Sequence, residues 1–492
     1  MPFFRKIDIS YCEGQAIFPG SLTLAQKFGM LCVSSFERFS MANELNMTRG
    51  KPLKLLFSFA LPLMFGNVFQ QLYTVVDTAI VGRGVNMQAL AALGTVDWLN
   101  WLFLGIAQGF TGGFSVRVAQ KFGQGDLPGM RKICGQSAFL SVIIAVVGMV
   151  LGQLLLPVFL TLMRVPLDLQ PQGTVYMRIM LAGFPAVMFF NYCASILRAV
   201  GNSRTPLIAM IVASVTNITL DAVAVFVLHK GIGGAAVATV IAQCLSGLIC
   251  AVKIAKTPEL RFTKSDWKPE GRLCRDLVFI GAPVAAQNTI IALGGMTVQT
   301  VVNGFTMAFI AGFTATNKLY GLLEIAATSY GYAVTTYVGQ NYGAMKLDRV
   351  KSGMNAATLL AVVTSLVIAA LMIVFGRQIT MIFISREDPL LAAEAGSIAY
   401  LYLSAMSVSL PVLYLLYVYQ SALRGMGNTV VPMVSGMLEF VIRVSLSFLV
   451  GYTGVQYGIF GAEVSAWWGA AIFLIIGYFI CYKNLRKKAV DA

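Results

Sequence analysis

Long apolar stretches run through the chain from about Pro52 onward, and short turns that contain Gly, Pro or charged residues separate them. A helix that spans a membrane needs about 20 mostly apolar residues, and each stretch is at least that long. The pattern therefore predicts an all-α polytopic membrane protein with twelve transmembrane helices. We expect these spans near 52–82, 88–120, 132–163, 170–199, 204–229, 233–256, 273–303, 306–340, 350–383, 390–424, 430–453 and 458–482.

The composition agrees with a membrane protein. Of the 492 residues, 57% are hydrophobic and 12% are charged, whereas an average soluble domain has roughly 25% charged residues. This excludes an ordinary soluble enzyme, and it also excludes a disordered chain, which would be polar. The net charge of +15 leaves two partners open at this point, nucleic acid or the cytoplasmic surface of a membrane.

The positions of the basic residues decide between these partners. If the chain enters the first span from the cytoplasm, 24 of the 36 Lys and Arg residues lie in cytoplasmic segments and 5 lie in the opposite loops. Basic residues accumulate in short cytoplasmic loops of membrane proteins. We therefore expect both termini in the cytoplasm, a plasma membrane location (the inner membrane in a bacterium), the lipid bilayer as a partner and no nucleic-acid partner.

The chain contains an internal repeat. The segments 195–202 and 421–428 match at an offset of 226 residues, and Pro62 matches Pro283 at an offset of 221. The halves are two six-helix bundles that enter from the same side, so their pseudo-twofold axis runs along the membrane normal, as in parallel transporter repeats. We expect an N-lobe at 47–256, a cytoplasmic linker at 257–272, a C-lobe at 273–482 and a cytoplasmic tail at 483–492.

Four polar residues of the first half are predicted to lie at a similar membrane depth. Asp77 falls in the outer half of span 1, and Asp221 falls in the outer half of span 5. Asn217 shares the helix face of Asp221, and Thr239 lies early in span 6. Ionisable residues inside a membrane are costly and mark functional sites. If the four converge, the carboxylates titrate as a unit and bind a proton, or a Na⁺ with Asn and Thr oxygens as further ligands; helix capping is the alternative.

The second half does not repeat this set. The offset places Arg443 opposite Asn217 and Ser447 opposite Asp221. Glu439 and Arg443 are four residues apart on one helix, so we expect a structural ion pair between them.

Other polar and aromatic residues are candidates for a substrate cavity. An acidic wall suits cationic substrates, and Trp98 could stack on a flat aromatic cation, although an interfacial belt is the alternative for this tryptophan. The cavity residues that we expect are Gln70, Tyr73, Asp97, Trp98, Gln287 and Glu324.

Several classes of protein are excluded by missing motifs. The sequence has no GxxxxGK[ST] motif, so it is not a P-loop ATPase. It has one His, His229, and no CxxC pair among its eight Cys residues, so neither a transition-metal site nor another cofactor is expected. We expect a transporter and not an enzyme, with an ion gradient as its energy source.

Five segments of the chain resemble the multidrug and toxic compound extrusion (MATE) family. They are Val76-Asp77-Thr78, the stretch 120–123, the turn 197–202, and the segments 217–221 and 234–239. The resemblance implies twelve helices in two lobes that form a V, and cation-driven efflux of small organic cations.

The pair Asn217 and Asp221 resembles the DinF-like branch of that family. This branch implies a coupling site formed by Asp77, Asn217, Asp221 and Thr239, and a helix bend at Pro62, to which Pro283 is equivalent. The NorM-like branch also uses acidic residues of spans 7 and 10, which this chain lacks, so a cation site in the C-lobe is not expected. Ala222 follows Asp221 where family members often have Pro.

Three functions are compatible with these features. The leading hypothesis is a monomeric efflux antiporter that exchanges organic cations for H⁺ or Na⁺. A lipid-linked oligosaccharide flippase of the same superfamily is the alternative, and it would favour a basic cavity. A membrane receptor or channel belongs to a different class and predicts conductance or no transport.

Residues 1–46 lack the apolar core of a signal peptide, and we interpret them as a flexible cytoplasmic extension or as an over-extended gene start. If the start is over-extended, the native protein begins at Met41 or Met47. Mass spectrometry of the native N-terminus tests this. Recovery of peptides from residues 1–40 would contradict the over-extended start.

Overall fold

A computed structural model describes residues 45–85, 87–162, 165–384 and 389–490. The N-terminal extension therefore lies outside the described residues except for Leu45 and Asn46. The described chain forms thirteen α-helices, and we number them in chain order. They are α1 (Pro52–Gly84), α2 (Met87–Gln124), α3 (Leu127–Leu162), α4 (Gln170–Ala182), α5 (Phe184–Ala199), α6 (Arg204–Ala222), α7 (Gly231–Lys256), α8 (Gly271–Val302), α9 (Met307–Gly343), α10 (Leu347–Thr380), α11 (Pro389–Gly425), α12 (Val430–Thr453) and α13 (Gly458–Val490).

The all-α class and the twelve-helix arrangement are confirmed, because α4 and α5 together form one bent span. Nine of the described helices, and the bent pair as a tenth, are long and apolar enough to cross a membrane. The other two, α2 and α9, have 38 and 37 residues and carry more polar residues. They occupy equivalent places in the two halves, which agrees with two related bundles.

The span expected near 170–199 is bent where α4 meets α5. The two helices meet at 45° around Gly183, and Pro185 lies at the start of α5. A proline at the first positions of a helix needs no hydrogen-bond donor, so Pro185 begins a helix and does not kink one. By contrast, Pro62 and Pro283 lie inside α1 and α8 as expected.

The outer faces of the bundle are apolar. Helices α3 and α10, which are equivalent in the two halves, expose residues such as Val142, Leu154, Val363 and Val374. An all-round apolar helix is typical of a membrane span. The largest buried cluster lies in the C-lobe, where Tyr402 stacks between Phe313 and Phe460.

The two lobes contact each other through small residues of α2 and α8. A methyl group added at Gly109 would overlap the backbone of Ala285, and one added at Gly113 would lie 2.5 Å from the Cα atom of Gly281. Small residues in membrane helices let two backbones approach closely. These two helices can therefore keep this distance only with glycine at both positions.

Helices α2 and α9 cross near their C-terminal ends in a reciprocal contact. The Gln120 amide donates to the carbonyl oxygen of Gly425 at 2.9 Å, and the Gln340 amide donates to that of Ala199 at 2.8 Å. Both carbonyls belong to the last turn of a helix, where no N–H group of the same helix is available as a donor. We call this contact between the four residues the interlobe crossing.

The segment before α1 adds to the interlobe crossing. The backbone N–H of Met47 donates to the side chain of Gln340 at 2.9 Å, and its carbonyl oxygen accepts from Asn341 at 3.0 Å. Arg198 of α5 lies 4.5 Å from the centre of the Tyr332 ring on α9. N-lobe and C-lobe are thus joined by polar contacts at the end of the bundle where α2 and α9 finish.

Glycine is required where α2 and α9 cross, because a methyl group at Gly123 would overlap the carbonyl oxygen of Gln340. We expect Gly123→Ala to lower the free energy of unfolding by about 1–3 kcal/mol, as overpacking does. Gly112→Ala on the same helix is the matched control, because its new methyl group would meet no described atom within 4 Å. Thermal and denaturant unfolding of the purified variants tests this. Equal stability of the two variants would contradict it.

Candidate cation-binding site in the N-lobe

Helices α1, α6 and α7 pack together in the N-lobe, and they carry the four residues of the predicted coupling site. Asp77 lies on α1, Asn217 and Asp221 lie on α6, and Thr239 lies on α7. Asp77, Asn217 and Asp221 are buried, with exposed fractions of 7%, 2% and 0%. The structure therefore brings the four side chains into one buried group, and their role in coupling stays a prediction.

The carboxyl groups of Asp77 and Asp221 are immediate neighbours across the contact of α1 with α6. Both oxygens of Asp221 and Oδ1 of Asp77 are buried without a well-formed hydrogen bond to the described residues, although the Asn217 amide and the other carboxyl lie close enough to Asp221 to interact with it. Buried polar atoms in proteins are nearly always hydrogen-bonded, so an unpartnered cluster needs an explanation. Two neighbouring carboxyl groups with three unpartnered oxygens are chemically suited to bind a proton or a metal cation.

Asn217 and Thr239 extend this group of oxygens. The Asn217 amide donates to the Thr239 hydroxyl at 3.2 Å, and that hydroxyl donates to the carbonyl oxygen of Ala235 at 3.2 Å. The amide oxygen of Asn217 is buried and unpartnered. The side-chain hydrogen bond fixes the Asn217 amide, and its oxygen is left available beside the two carboxyls.

A small, partly open cavity adjoins these residues. Two residues of the predicted substrate cavity, Gln70 and Tyr73, line it together with Asn217 and Thr239. The other residues that line it are Phe190, Met210, Ala213, Ser214, Ala242, Gln243 and Ser246. Coupling residues and candidate substrate-binding residues thus share one cavity.

Tyr176 lies between the carboxyl pair and Asp97 as an electrostatic neighbour of both. Tyr176 of α4 lies close enough to Asp77, Asp221 and Asp97 to interact with all three. Asp97 also faces Lys318 of the C-lobe. Acidic side chains therefore extend from the N-lobe site towards the other lobe.

Three predicted cavity residues lie elsewhere. Trp98 packs against α8, where a methyl group at Gly295 would lie 2.6 Å from its ring. Gln287 is 1% exposed and accepts a hydrogen bond from Arg424 at 2.6 Å, so it does not line an open cavity. Glu324 lies in the C-lobe and accepts a hydrogen bond from Tyr417.

The ion pair predicted in the C-lobe is present and larger than expected. Arg443 contacts Glu439 at 2.7 Å and also Glu463 of α13 at 2.9 Å. The sequence indicated only the pair on one helix, because the third partner comes from another span.

Sequence reasoning missed Tyr176, Gln243 and Ser246. Spacing along a helix relates residues of that helix only, and these three reach the site from α4 and α7. A buried unpartnered oxygen of Gln243 marks it as part of the polar lining. Thr239 was identified from its expected depth in the membrane. The same reasoning could have identified Gln243, since Gln243 lies one turn further along α7.

The α-helical pattern of α6 ends directly after Asp221. It continues as a π-helical turn over Val223–Val227, which begins after the Ala222 noted in the sequence. Gly84 at the end of α1 faces this turn, at Val225 and Phe226. Such π-helical turns are rare and occur frequently at functional sites.

Comparison with known proteins agrees with this architecture. The MatE family model matches residues 62–223 and again residues 283–449. The two matches begin at the equivalent prolines Pro62 and Pro283, which supports the internal repeat. Together they cover well over half of the chain.

Curated relatives cover most of the chain. One is named "Probable multidrug resistance protein YpnP" from Bacillus subtilis (strain 168), and it is 26% identical over 84% of this chain and 93% of its own length. Multidrug resistance protein PmpM from Pseudomonas aeruginosa is also 26% identical, over 79% and 81%.

Solved structures share the fold. A multidrug resistance MATE family transporter of the MOP superfamily in an outward-facing conformation matches with a TM-score of 0.82 and 22% identity, over 91% of this chain and 99% of that one. A MOP superfamily transporter from Pyrococcus furiosus, whose reversed pocket polarity suggests a different function, matches with a TM-score of 0.83 and 21% identity, over 90% and 99%. Family model, relatives and fold agree: the chain belongs to the MATE family of multi-pass membrane transporters.

Proposed function

We propose that this chain is a secondary active multidrug efflux antiporter that exports organic cations in exchange for H⁺ or Na⁺. The observation that carries the proposal is the buried, unpartnered carboxyl pair Asp77 and Asp221 beside a polar cavity of the N-lobe. The relatives named for multidrug resistance and multidrug export support the substrate class.

The carboxyl pair supplies the coupling. A carboxylate pair inside a membrane is costly and must be neutralised by protons or by a bound cation. Gln70 and Tyr73 line the same cavity as Asn217 and Thr239, so binding of a cationic substrate and binding of the coupling ion compete for the same negative charge. Competition of this kind makes the exchange of one cation for another obligatory.

The interlobe crossing provides a barrier for alternating access. The excess of basic residues supports a cytoplasmic position for the end with the crossing. While the crossing joins the lobes at that end, the site exchanges its cation with the outer side. Rocking of the two lobes then opens the site to the inner side. We therefore infer that both termini lie in the cytoplasm and that the membrane is the plasma membrane.

The charge of the site argues against the flippase alternative. A pocket for an anionic lipid-linked glycan needs basic residues, whereas no Lys or Arg is among the described residues that line this cavity. The carboxyls of Asp77 and Asp221 lie next to its lining residues Tyr73 and Asn217. The donor set also fits Na⁺, because carboxylate, amide and hydroxyl oxygens are ligands of hard cations. Binding of a proton requires only the two carboxyl groups.

The proposal predicts that Asp77→Asn abolishes gradient-driven efflux of a fluorescent organic cation from proteoliposomes, because one carboxylate of the pair is lost. Folding should survive, since the amide has the same size. The control is Asp126→Asn in the turn between α2 and α3, where the hydrogen bond from Lys121 lowers the pKa of a half-exposed carboxyl. This variant should transport normally. Full gradient-driven efflux by Asp77→Asn would contradict the proposal.

A second experiment identifies the coupling ion. We expect one of two imposed gradients, H⁺ or Na⁺, to drive efflux by the native chain, and we expect Asp221→Asn to lose that same response. Thr239→Val separates the ions: it should raise the Na⁺ concentration for half-maximal transport if Na⁺ is the ligand, and change little if the ion is H⁺. A driven response that persists in Asp221→Asn would show that the carboxyls do not act as one site.

A further inference from the structure

The internal repeat gives the N-lobe site residues counterparts in the C-lobe that have different chemistry. At the offsets of the repeat, Asn217 corresponds to Arg443 and Asp221 to Ser447. Both helices begin in the same way, because Asn202 caps α6 through Thr205 and Asn428 caps α12 through Val431. Arg443 and Asn217 each lie 13 residues after the first residue of their helix.

In the C-lobe, the residues that correspond to Tyr73 and Asp77 of α1 have no polar side chain. At the offset of Pro62 and Pro283, Tyr73 corresponds to Gly294 and Asp77 to Val298. A methyl group at Gly294 would lie 3.6 Å from Cδ and 3.7 Å from Nη1 of Arg443. The Arg443 side chain therefore passes over the space where the N-lobe has the Tyr73 ring, and glycine makes that space available.

Acidic residues surround the Arg443 guanidinium. Its Nη2 atom contacts Glu439 and Glu463, and Glu324 of α9 is a further electrostatic neighbour. The guanidinium is buried, with 5% of the residue exposed, and its Nε atom has no hydrogen-bond partner among the described residues. Three carboxyl groups thus face one fixed cation.

We propose that the C-lobe contains a cation pocket at a place along its helices similar to that of the N-lobe site, with its carboxyl groups at other positions of the repeat, and that the guanidinium of Arg443 permanently occupies it. The pocket formed by Glu439, Glu463 and Gly294 takes a small monovalent organic cation, and the chain supplies that cation itself. This inference rests on the proposed role of the N-lobe site in cation binding. As a consequence, only the N-lobe exchanges its cation during transport.

The test removes the tethered cation and offers a free one. Arg443→Ala should leave a space beside Gly294 that is lined by Glu439 and Glu463. Millimolar guanidinium chloride should then raise the melting temperature of the purified full-length variant in a saturable way, because a ligand that binds the folded state stabilises it. Sodium chloride at equal concentration controls for ionic strength. The native protein should show no such rise, because Arg443 fills the pocket.

Two further variants keep the proposal falsifiable. Arg443→Gln preserves more of the side-chain volume and replaces Arg443→Ala if the latter does not fold. The triple variant Arg443→Ala, Glu439→Gln, Glu463→Gln removes the acidic lining and should lose the guanidinium response. A response of equal size in the native protein or in the triple variant, or none in Arg443→Ala and Arg443→Gln, would overturn the proposal. The readout is binding, so its failure is independent of whether Asp77 and Asp221 couple transport.

Discussion

The interlobe crossing of α2 and α9 is the constraint on which the arrangement of the lobes depends. Each helix brings one glutamine to the last carbonyl groups of a helix in the opposite lobe. Carbonyls at a helix end lack intrahelical partners, and a buried acceptor without a partner is costly. The two lobes therefore satisfy each other's helix ends, and this is possible only because glycine lets the backbones of α2 and α9 touch.

The same repeat carries two different solutions to the cost of charge in a membrane. In the N-lobe, three carboxyl oxygens of Asp77 and Asp221 have no hydrogen-bond partner among the described residues, and the proposed function assigns their neutralisation to a proton or cation from outside. In the C-lobe, Arg443 neutralises Glu439 and Glu463 within the chain. A buried cluster whose charges and hydrogen bonds are all paired makes its surroundings rigid. A cluster with unpaired carboxyl groups changes its charge when a ligand binds or leaves. In the proposed mechanism, one lobe therefore responds to ions, and the other provides a constant partner.

The sequence predicted the fold well because apolar length, turn residues and basic loops are strong signals in membrane proteins. It also placed Asp77, Asn217, Asp221 and Thr239 at one depth, because helical rise converts residue number into depth. It could not show which side chains meet across helices, since depth does not fix rotation. For this reason Gln287, expected in a cavity, lies in a buried hydrogen-bonded contact with Arg424, and the third partner of the Arg443 cluster was missed.

Helix α6 connects the ion-binding residues with the crossing. Its first turn follows the segment 197–202, whose last residues contact Gln340 and Leu45, and Asp221 lies roughly 25 Å further along the same helix. A rigid helix with one end at a lobe contact and the other at a charged site transmits a change of position between them.

Neutralisation of the carboxyl pair removes the repulsion between α1 and α6. Because α1 also contacts α9 through Asn67 and Ser329, a shift of α1 reaches the C-lobe by a second route. The candidate site and the crossing are therefore physically connected through two helices of the N-lobe.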